Sequence, residues 1–161
     1  MKKIVAILIT MATFYGCSDE VQFNTPALQG NKNYELWRAS YYGAVLKENN
    51  QLTIKAGDNS EKMTITLSSM EEGAFNLSNK SASSIDFRDA DNVLYSTRNI
   101  PEQENSLSFG NGKVTITKIE DNTISGDFNF LAFTEDGLNS IGFNDGVIYK
   151  VPVKLDKKLT E

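Results

Sequence analysis

The chain has 161 residues, with 21 acidic and 16 basic side chains, no histidine, one cysteine and three prolines. That length fits one domain, and a composition that is 40% apolar and 23% charged belongs to a globular chain rather than a disordered one. Without histidine the chain holds no Ser-His-Asp or Cys-His catalytic set and lacks the commonest zinc ligand, and one cysteine excludes an internal disulfide and a multi-cysteine metal site.

The first sixteen residues read as an address. Met1, Lys2 and Lys3 form a basic start, and residues 4–15 follow without a charge. This is the layout of a secretory signal peptide, and it is too short for a spanning helix of about 17–25 residues. A buried core helix would show a polar face, which this stretch lacks. Phe14-Tyr15-Gly16-Cys17 resembles a bacterial lipobox, with a small residue before a cysteine. The resemblance implies cleavage between Gly16 and Cys17 and acylation of Cys17, which accounts for both the position and the solitude of the thiol. Buried acyl chains contribute about 0.8 kcal/mol per CH₂, so two or three chains on one residue make a durable membrane anchor. Cleavage removes Lys2 and Lys3, leaving a still more acidic chain. Acidity argues against nucleic-acid binding and against an electrostatic grip on anionic lipid.

Ser18, Asp19 and Glu20 come next. No Asp directly follows the cysteine, so the inner-membrane retention signal of enteric-type bacteria is absent. Serine followed by acids resembles the surface-export signal of Bacteroidota lipoproteins, which implies an outer-membrane location facing the cell exterior. Residues 17–34 are polar, carry Pro26 and Gly30 and show no sustained period, so they are expected to form the lipidated N-terminus and a flexible tether. About seventeen flexible residues span roughly 20–25 Å.

The β domain is expected over 35–153. Trp37, Tyr41 and Tyr42 cluster at its start. On a regular strand Trp37 and Tyr41 share one parity and Tyr42 takes the other, so one set belongs to the core and the other to the surface. These three are the candidate binding residues, because exposed aromatics stack on sugars or anchor protein interfaces. Further along, Leu52, Ile54 and Ala56 alternate with Thr53 and Lys55, and Met63, Ile65 and Leu67 with Thr64, Thr66 and Ser68. Val114 and Ile116 alternate with Thr115 and Thr117. Ile124, Gly126, Phe128, Phe130 and Ala132 share a parity. Val147, Tyr149, Val151 and Val153 alternate with Ile148 and Lys150. Such period-two runs mark strands with one buried face.

Turn residues fall between the runs: Glu48-Asn49-Asn50, Gly57-Asp58-Asn59-Ser60, Asn111-Gly112, Asp121-Asn122 and Asn144-Asp145-Gly146. Asn111-Gly112, between residues 107–109 and 114–116, is the strongest single hairpin signal. Only 67–73 and 81–89 have room for a short helical turn. Gly126, on the apolar parity of its strand, marks a bulge or a close-packed aromatic, and Pro152 marks an edge or a bulge. About eight to ten short strands predict an all-β fold, a single antiparallel β-sandwich or barrel-like domain. Residues 154–161 read as a charged tail.

Three elements share a further pattern: Gly73-Ala74-Phe75-Asn76-Leu77, residues 112–119 leading into Ile124-Ser125-Gly126-Asp127-Phe128-Asn129-Phe130, and the closing run 144–153. Together they resemble a family of small Bacteroidota lipoproteins known only as a domain of unknown function. Here Asp145 separates Asn144 from Gly146, and Ile148 stands where an aromatic is usual. The resemblance implies a fold and a location, and no activity.

Chemistry is sparse. Asp86, Asp89, Asp91 and Asn92 form the densest acidic group, but the spacing is not that of an EF-hand and Arg88 sits among them, so a solvated turn is expected. Glu102 with Glu104 and Glu135 with Asp136 lie in loop-like sequence and lack the frame of a glycosidase pair. No P-loop, dinucleotide glycine motif or Gly-x-Ser-x-Gly elbow occurs. No metal and no cofactor is expected. The sequence therefore points to a non-enzymatic, outer-membrane-anchored module that binds a protein or a glycan. A structural subunit of an outer-membrane assembly is the alternative, and a small-ligand carrier or hydrolase the remote one.

Overall fold

The period-two runs become strands where they were expected, and the chain folds as all-β. The computed structural model describes residues 27–101 and 110–156. Gly16, Cys17, Ser18, Asp19 and Glu20, the rest of the signal segment, and residues 107–109 lie outside these. The strands are β1 (Leu28–Lys32), β2 (Glu35–Arg38), β3 (Tyr41–Leu46), β4 (Leu52–Gly57), β5 (Lys62–Leu67), β6 (Gly73–Ser78), β7 (Ser84–Arg88), β8 (Leu94–Ser96), β9 (Gly110–Glu120), β10 (Thr123–Phe133) and β11 (Ser140–Leu155). There is no helix among the described residues.

All eleven strands join one sheet in the order β2-β1-β11-β3-β4-β5-β7-β8-β10-β9-β6. β10 also pairs with β11, so the sheet closes on itself through β11, β3, β4, β5, β7, β8 and β10. The β1–β2 and β9–β6 pairs flank this ring. The expected faces turn inward. Leu52, Ile54 and Ala56 of β4, Met63, Ile65 and Leu67 of β5, Val114 and Ile116 of β9, and Ile124, Phe128, Phe130 and Ala132 of β10 are all buried.

At the centre lies an aromatic cluster. The Phe143 ring stands 4.9 Å from Phe130, 5.3 Å from Phe87, 5.6 Å from Trp37 and 6.2 Å from Phe128, centroid to centroid. Phe130 is stacked on it, Phe87 and Phe128 are tilted and Trp37 is edge-on, each contact contributing about 0.5–1.5 kcal/mol beyond the area buried.

Several expectations are corrected. The pairing is not purely antiparallel: β3 runs parallel to β11 over Ala44–Leu46. The reason is local. β1 is antiparallel to β11 and β2 to β1, so β2 already runs the way of β11. After Ala39 and Ser40 the chain continues in that direction as β3 and takes the β11 edge beyond β1.

The tether expected over 17–34 ends earlier, because Leu28–Lys32 is a strand and the domain starts before residue 35. Its inward positions are Leu28, Gly30 and Lys32, so a glycine and a lysine stand where alternation would show apolar residues. A Cβ at Gly30 would lie 3.3 Å from the Phe143 ring. Lys32 reaches over Phe87, 5.8 Å from its centroid, and pairs with Glu61. β1 and β2 are joined by a two-residue turn, Asn33-Tyr34, with φ of 47° and 71°. Such turns favour glycine at the second position, and a tyrosine held there costs about 1–2 kcal/mol.

Asn111-Gly112 is not a hairpin turn. Both residues belong to β9, and Gly112 pairs with Phe130 and Leu77. Gly112 has a φ of 127°, and a Cβ there would lie 2.2 Å from the Asn129 carbonyl oxygen. The glycine answers a close approach of backbones, not a reversal. Asn144-Asp145-Gly146 likewise sits inside β11, where Asp145 has a φ of 50° and the register with β1 and β10 slips. It is a bulge, which lets Gly146 fit against the Phe128 ring.

A second bulge at Lys150, with a φ of 45°, breaks the parity expected for 147–153. Ile148 and Val151 turn inward and Val147 turns out. The expected bulge at Gly126 is present, with register shifts against both β9 and β11. Asp121-Asn122 is the expected tight turn between β9 and β10. Neither 67–73 nor 81–89 holds a helical turn, since Ser84–Arg88 is β7 and buries Ile85 and Phe87. The charged tail begins later than residue 154, because Lys154 and Leu155 pair with β3.

Phe143→Ala is expected to cost about 3–5 kcal/mol in urea unfolding, because it empties the position that four other rings touch. Gly126→Ala places a Cβ 2.0 Å from the Thr115 carbonyl oxygen. It is expected to destabilise the fold by up to about 3 kcal/mol, as an overpacked core does.

Candidate functional site

The three candidate aromatics part company. Trp37 is 4% exposed and stands edge-on to Phe87 and Phe143. It is a core residue. Its Nε1 is buried without a hydrogen-bond partner among the described residues. The shared parity of Trp37 and Tyr41 fails because the strand is not continuous. At Ala39 the backbone still donates to the Leu28 carbonyl, and at Ser40 it switches to the Gly57 carbonyl.

Tyr41 and Tyr42, at the start of β3, are 45% and 38% exposed. Tyr41 pairs across the sheet with Gly57, and its phenol occupies the space a side chain would take there: a Cβ on Gly57 would lie 2.5 Å from the hydroxyl. The next outward position, Gly43, has open space where its Cβ would be. That gap is the floor of a groove on the outer face, about 410 Å³ in volume. Tyr41 and Tyr42 stand at one end, Lys55 and Thr53 come from β4, and Pro152 and Lys154 from β11. Among the described residues two lysines and no carboxylate line it, in a chain whose net charge is −5. Aromatic edges beside two exposed cations suit a partner that carries acidic groups and a flat apolar face. Lys154 and Pro152 could not have been grouped with Tyr41 from the sequence, because the parallel β3–β11 pairing alone brings them together.

Glu102 and Glu104 lie outside the described residues; of the other acidic groups, Asp89 and Asp136 are tied into turns, and Asp86 sits in β7 facing β8. Asp89 Oδ1 accepts from the backbone N–H of Asp91 and of Val93, and Asp86 accepts from the Ser96 hydroxyl at 2.6 Å. Asp136 accepts from the Thr134 hydroxyl and the Leu138 N–H, which hold its carboxyl below the usual range. Among the described residues no group of three or more His, Cys, Asp or Glu side chains is placed to hold a metal ion. No helix among them is long and apolar enough to cross a membrane.

A part-buried ion pair ties the β1–β2 unit to the β4–β5 turn: Lys32 Nζ to Glu61 Oε1, 2.5 Å. Asp58 shapes that turn. Its Oδ1 accepts from the Glu61 N–H at 2.7 Å, the Ser60 N–H at 2.8 Å and the Ser60 hydroxyl at 3.1 Å. The Glu61 N–H, working against burial and helped by Ser60 and the Lys32 charge, holds the Asp58 carboxyl below its ordinary value. A depressed carboxyl stabilises the fold above its unfolded value of about 3.9, and this contribution is lost as pH falls through the folded value. Asp58→Asn is therefore expected to flatten the loss of stability below about pH 4, read by thermal melts across an acid series. Trp37→Phe gives up no hydrogen bond and relieves an orphaned donor. It is expected to cost less than about 2 kcal/mol, against about 3–5 kcal/mol for Trp37→Ala.

No curated protein and no solved structure matches the chain. Residues 24–152 do match a family described as a domain of unknown function (DUF6252), a span running from just before β1 to Pro152 near the end of β11. That span is most of the chain, and the protein accordingly belongs to this family.

Proposed function

We propose that the protein is a lipoprotein of a bacterial outer membrane, held by acyl groups on Cys17 and displayed on the cell exterior. Its β domain is a non-enzymatic module that binds a protein or a glycan. The observation that carries the binding role is the groove over Gly43, where two half-exposed tyrosines meet Lys55 and Lys154 without a carboxylate among the lining residues. The anchor rests on the lipobox-like 14–17 and the acidic start at Ser18, Asp19 and Glu20. Acyl chains would hold the protein to the membrane, and the net negative chain would keep the domain off anionic lipid. The second reading, a structural subunit of an outer-membrane assembly, draws on Val93 and Leu94. Both are exposed in a concavity of about 570 Å³ next to Asn139. A permanent partner would cover such a surface.

Mass spectrometry of the protein extracted from membranes is expected to show the acyl mass on a chain beginning at Cys17, and protease shaving of intact cells to remove the domain. A processed chain with a free thiol in the culture medium would overturn the anchor. Capture of a partner from solubilised outer membrane is expected to fall about 30-fold for Tyr41→Ala with Tyr42→Ala, the loss of an aromatic hot spot of about 2 kcal/mol. Unchanged capture would overturn the groove as the binding surface.

A further inference from the structure

The Asn33-Tyr34 turn does something a turn does not need. A two-residue turn with both φ values positive is built most easily with glycine second. Here that position carries tyrosine, at a φ of 71°, and its side chain buries almost nothing: Tyr34 is 94% exposed. The backbone preference is overridden without any gain in packing. Strain of that kind, kept at an exposed aromatic, is a sign of binding.

The turn is also clamped. The Asn33 N–H donates to the Gly142 carbonyl and the Gly142 N–H donates to Asn33 Oδ1, both at 2.9 Å. This reciprocal pair fixes the turn against β11, so the ordering of Tyr34's backbone is met on folding and not on binding.

Between the turn and the outer face of β10 and β11 lies a pocket of about 410 Å³. Asn129, Asn144 and Ser140 line it, with Leu131 as an apolar patch. Among the described residues no charged side chain lines it, although 23% of the chain is charged. Each carboxamide offers both donors and an acceptor, and a hydroxyl offers both as well. That set matches the vicinal hydroxyls of a sugar, each of which donates and accepts. An exposed tyrosine on a clamped turn supplies a flat amphipathic face for the apolar side of a sugar ring, with only two side-chain torsions to fix. An anion or cation would find no countercharge among the described lining residues.

We infer that this pocket, with Tyr34 as its stacking platform, is a binding site for a neutral saccharide. It is separate from the groove over Gly43, and it rests on the reading of the chain as a binding module.

The test uses the purified protein in a detergent without a sugar headgroup, on an array of neutral glucans, mannans and galactans beside uronic-acid and sulfated glycans. Binding is expected among the neutral glycans and not the charged ones. Tyr34→Gly and Asn144→Ala are each expected to weaken the best neutral hit at least tenfold. Tyr34→Gly should at the same time raise the melting temperature, because glycine fits the turn; a merely structural tyrosine would not lose binding while gaining stability. No neutral glycan bound, preference for charged glycans, or unchanged affinity in Tyr34→Gly would each overturn the site. The Tyr41 and Tyr42 variants read the other surface with a captured partner, so failure at Tyr34 leaves the result at the groove standing.

Discussion

Phe143 sits where the flanking β1–β2 pair, the ring and the β10–β11 hairpin all meet. Trp37 comes from β2, Phe87 from β7, and Phe128 and Phe130 from β10, and every one of these rings stands within about 6 Å of it, the ordinary range for aromatic pairs. Closing a sheet around so large a cluster bends the strands, and bent strands bring backbones together. At Gly126 and Gly146 a single added Cβ would run into a neighbour at 2.0 and 2.5 Å. The bulges at Gly126, Asp145 and Lys150 are the other face of the same demand, since a bulge is how a strand turns without leaving its partner.

The same closure decides where the described surface has concavities. The interior is filled by aromatic and aliphatic side chains, with Phe87, Phe128 and Phe143 fully buried. Two concavities that combine exposed aromatics with polar groups, the groove over Gly43 and the pocket beside Tyr34, lie on the outer face. Each has a glycine where a side chain would otherwise stand: Gly43 under the groove, and Gly142 beside the clamped turn. Their chemistries differ. One is lined by two lysines and the other by neutral amides, so a single domain presents two chemically distinct faces.

Lys32 links the two ends of this arrangement. On the inward parity of β1, its ammonium stands over the Phe87 ring and meets Glu61, whose position follows from the Asp58 turn. An ammonium left unpaired in that place would be costly, so pairing and turn geometry support each other. The anchored end of β1, at Lys32, leads directly into Asn33-Tyr34, whose Asn33 is held against Gly142.

Much of the strand pattern was legible because strands with one wet face must alternate. Leu52, Ile54 and Ala56, or Met63, Ile65 and Leu67, announce their faces without help. Asp121-Asn122 announces its turn for an equally local reason, since both residues tolerate positive φ. β1 stayed hidden because its inward residues are Leu28, Gly30 and Lys32, and Asn111-Gly112 misled because a glycine needed for a close backbone approach looks like one needed for a reversal. Of the candidate aromatics, composition could nominate Trp37, Tyr41 and Tyr42 but not sort them. By itself the sequence determined the all-β class, the faces of the regular strands and the family. The tertiary structure alone decided the closure of the sheet, the parallel β3–β11 pair and both surface pockets, because pairing between residues a hundred positions apart leaves no periodic trace in either partner.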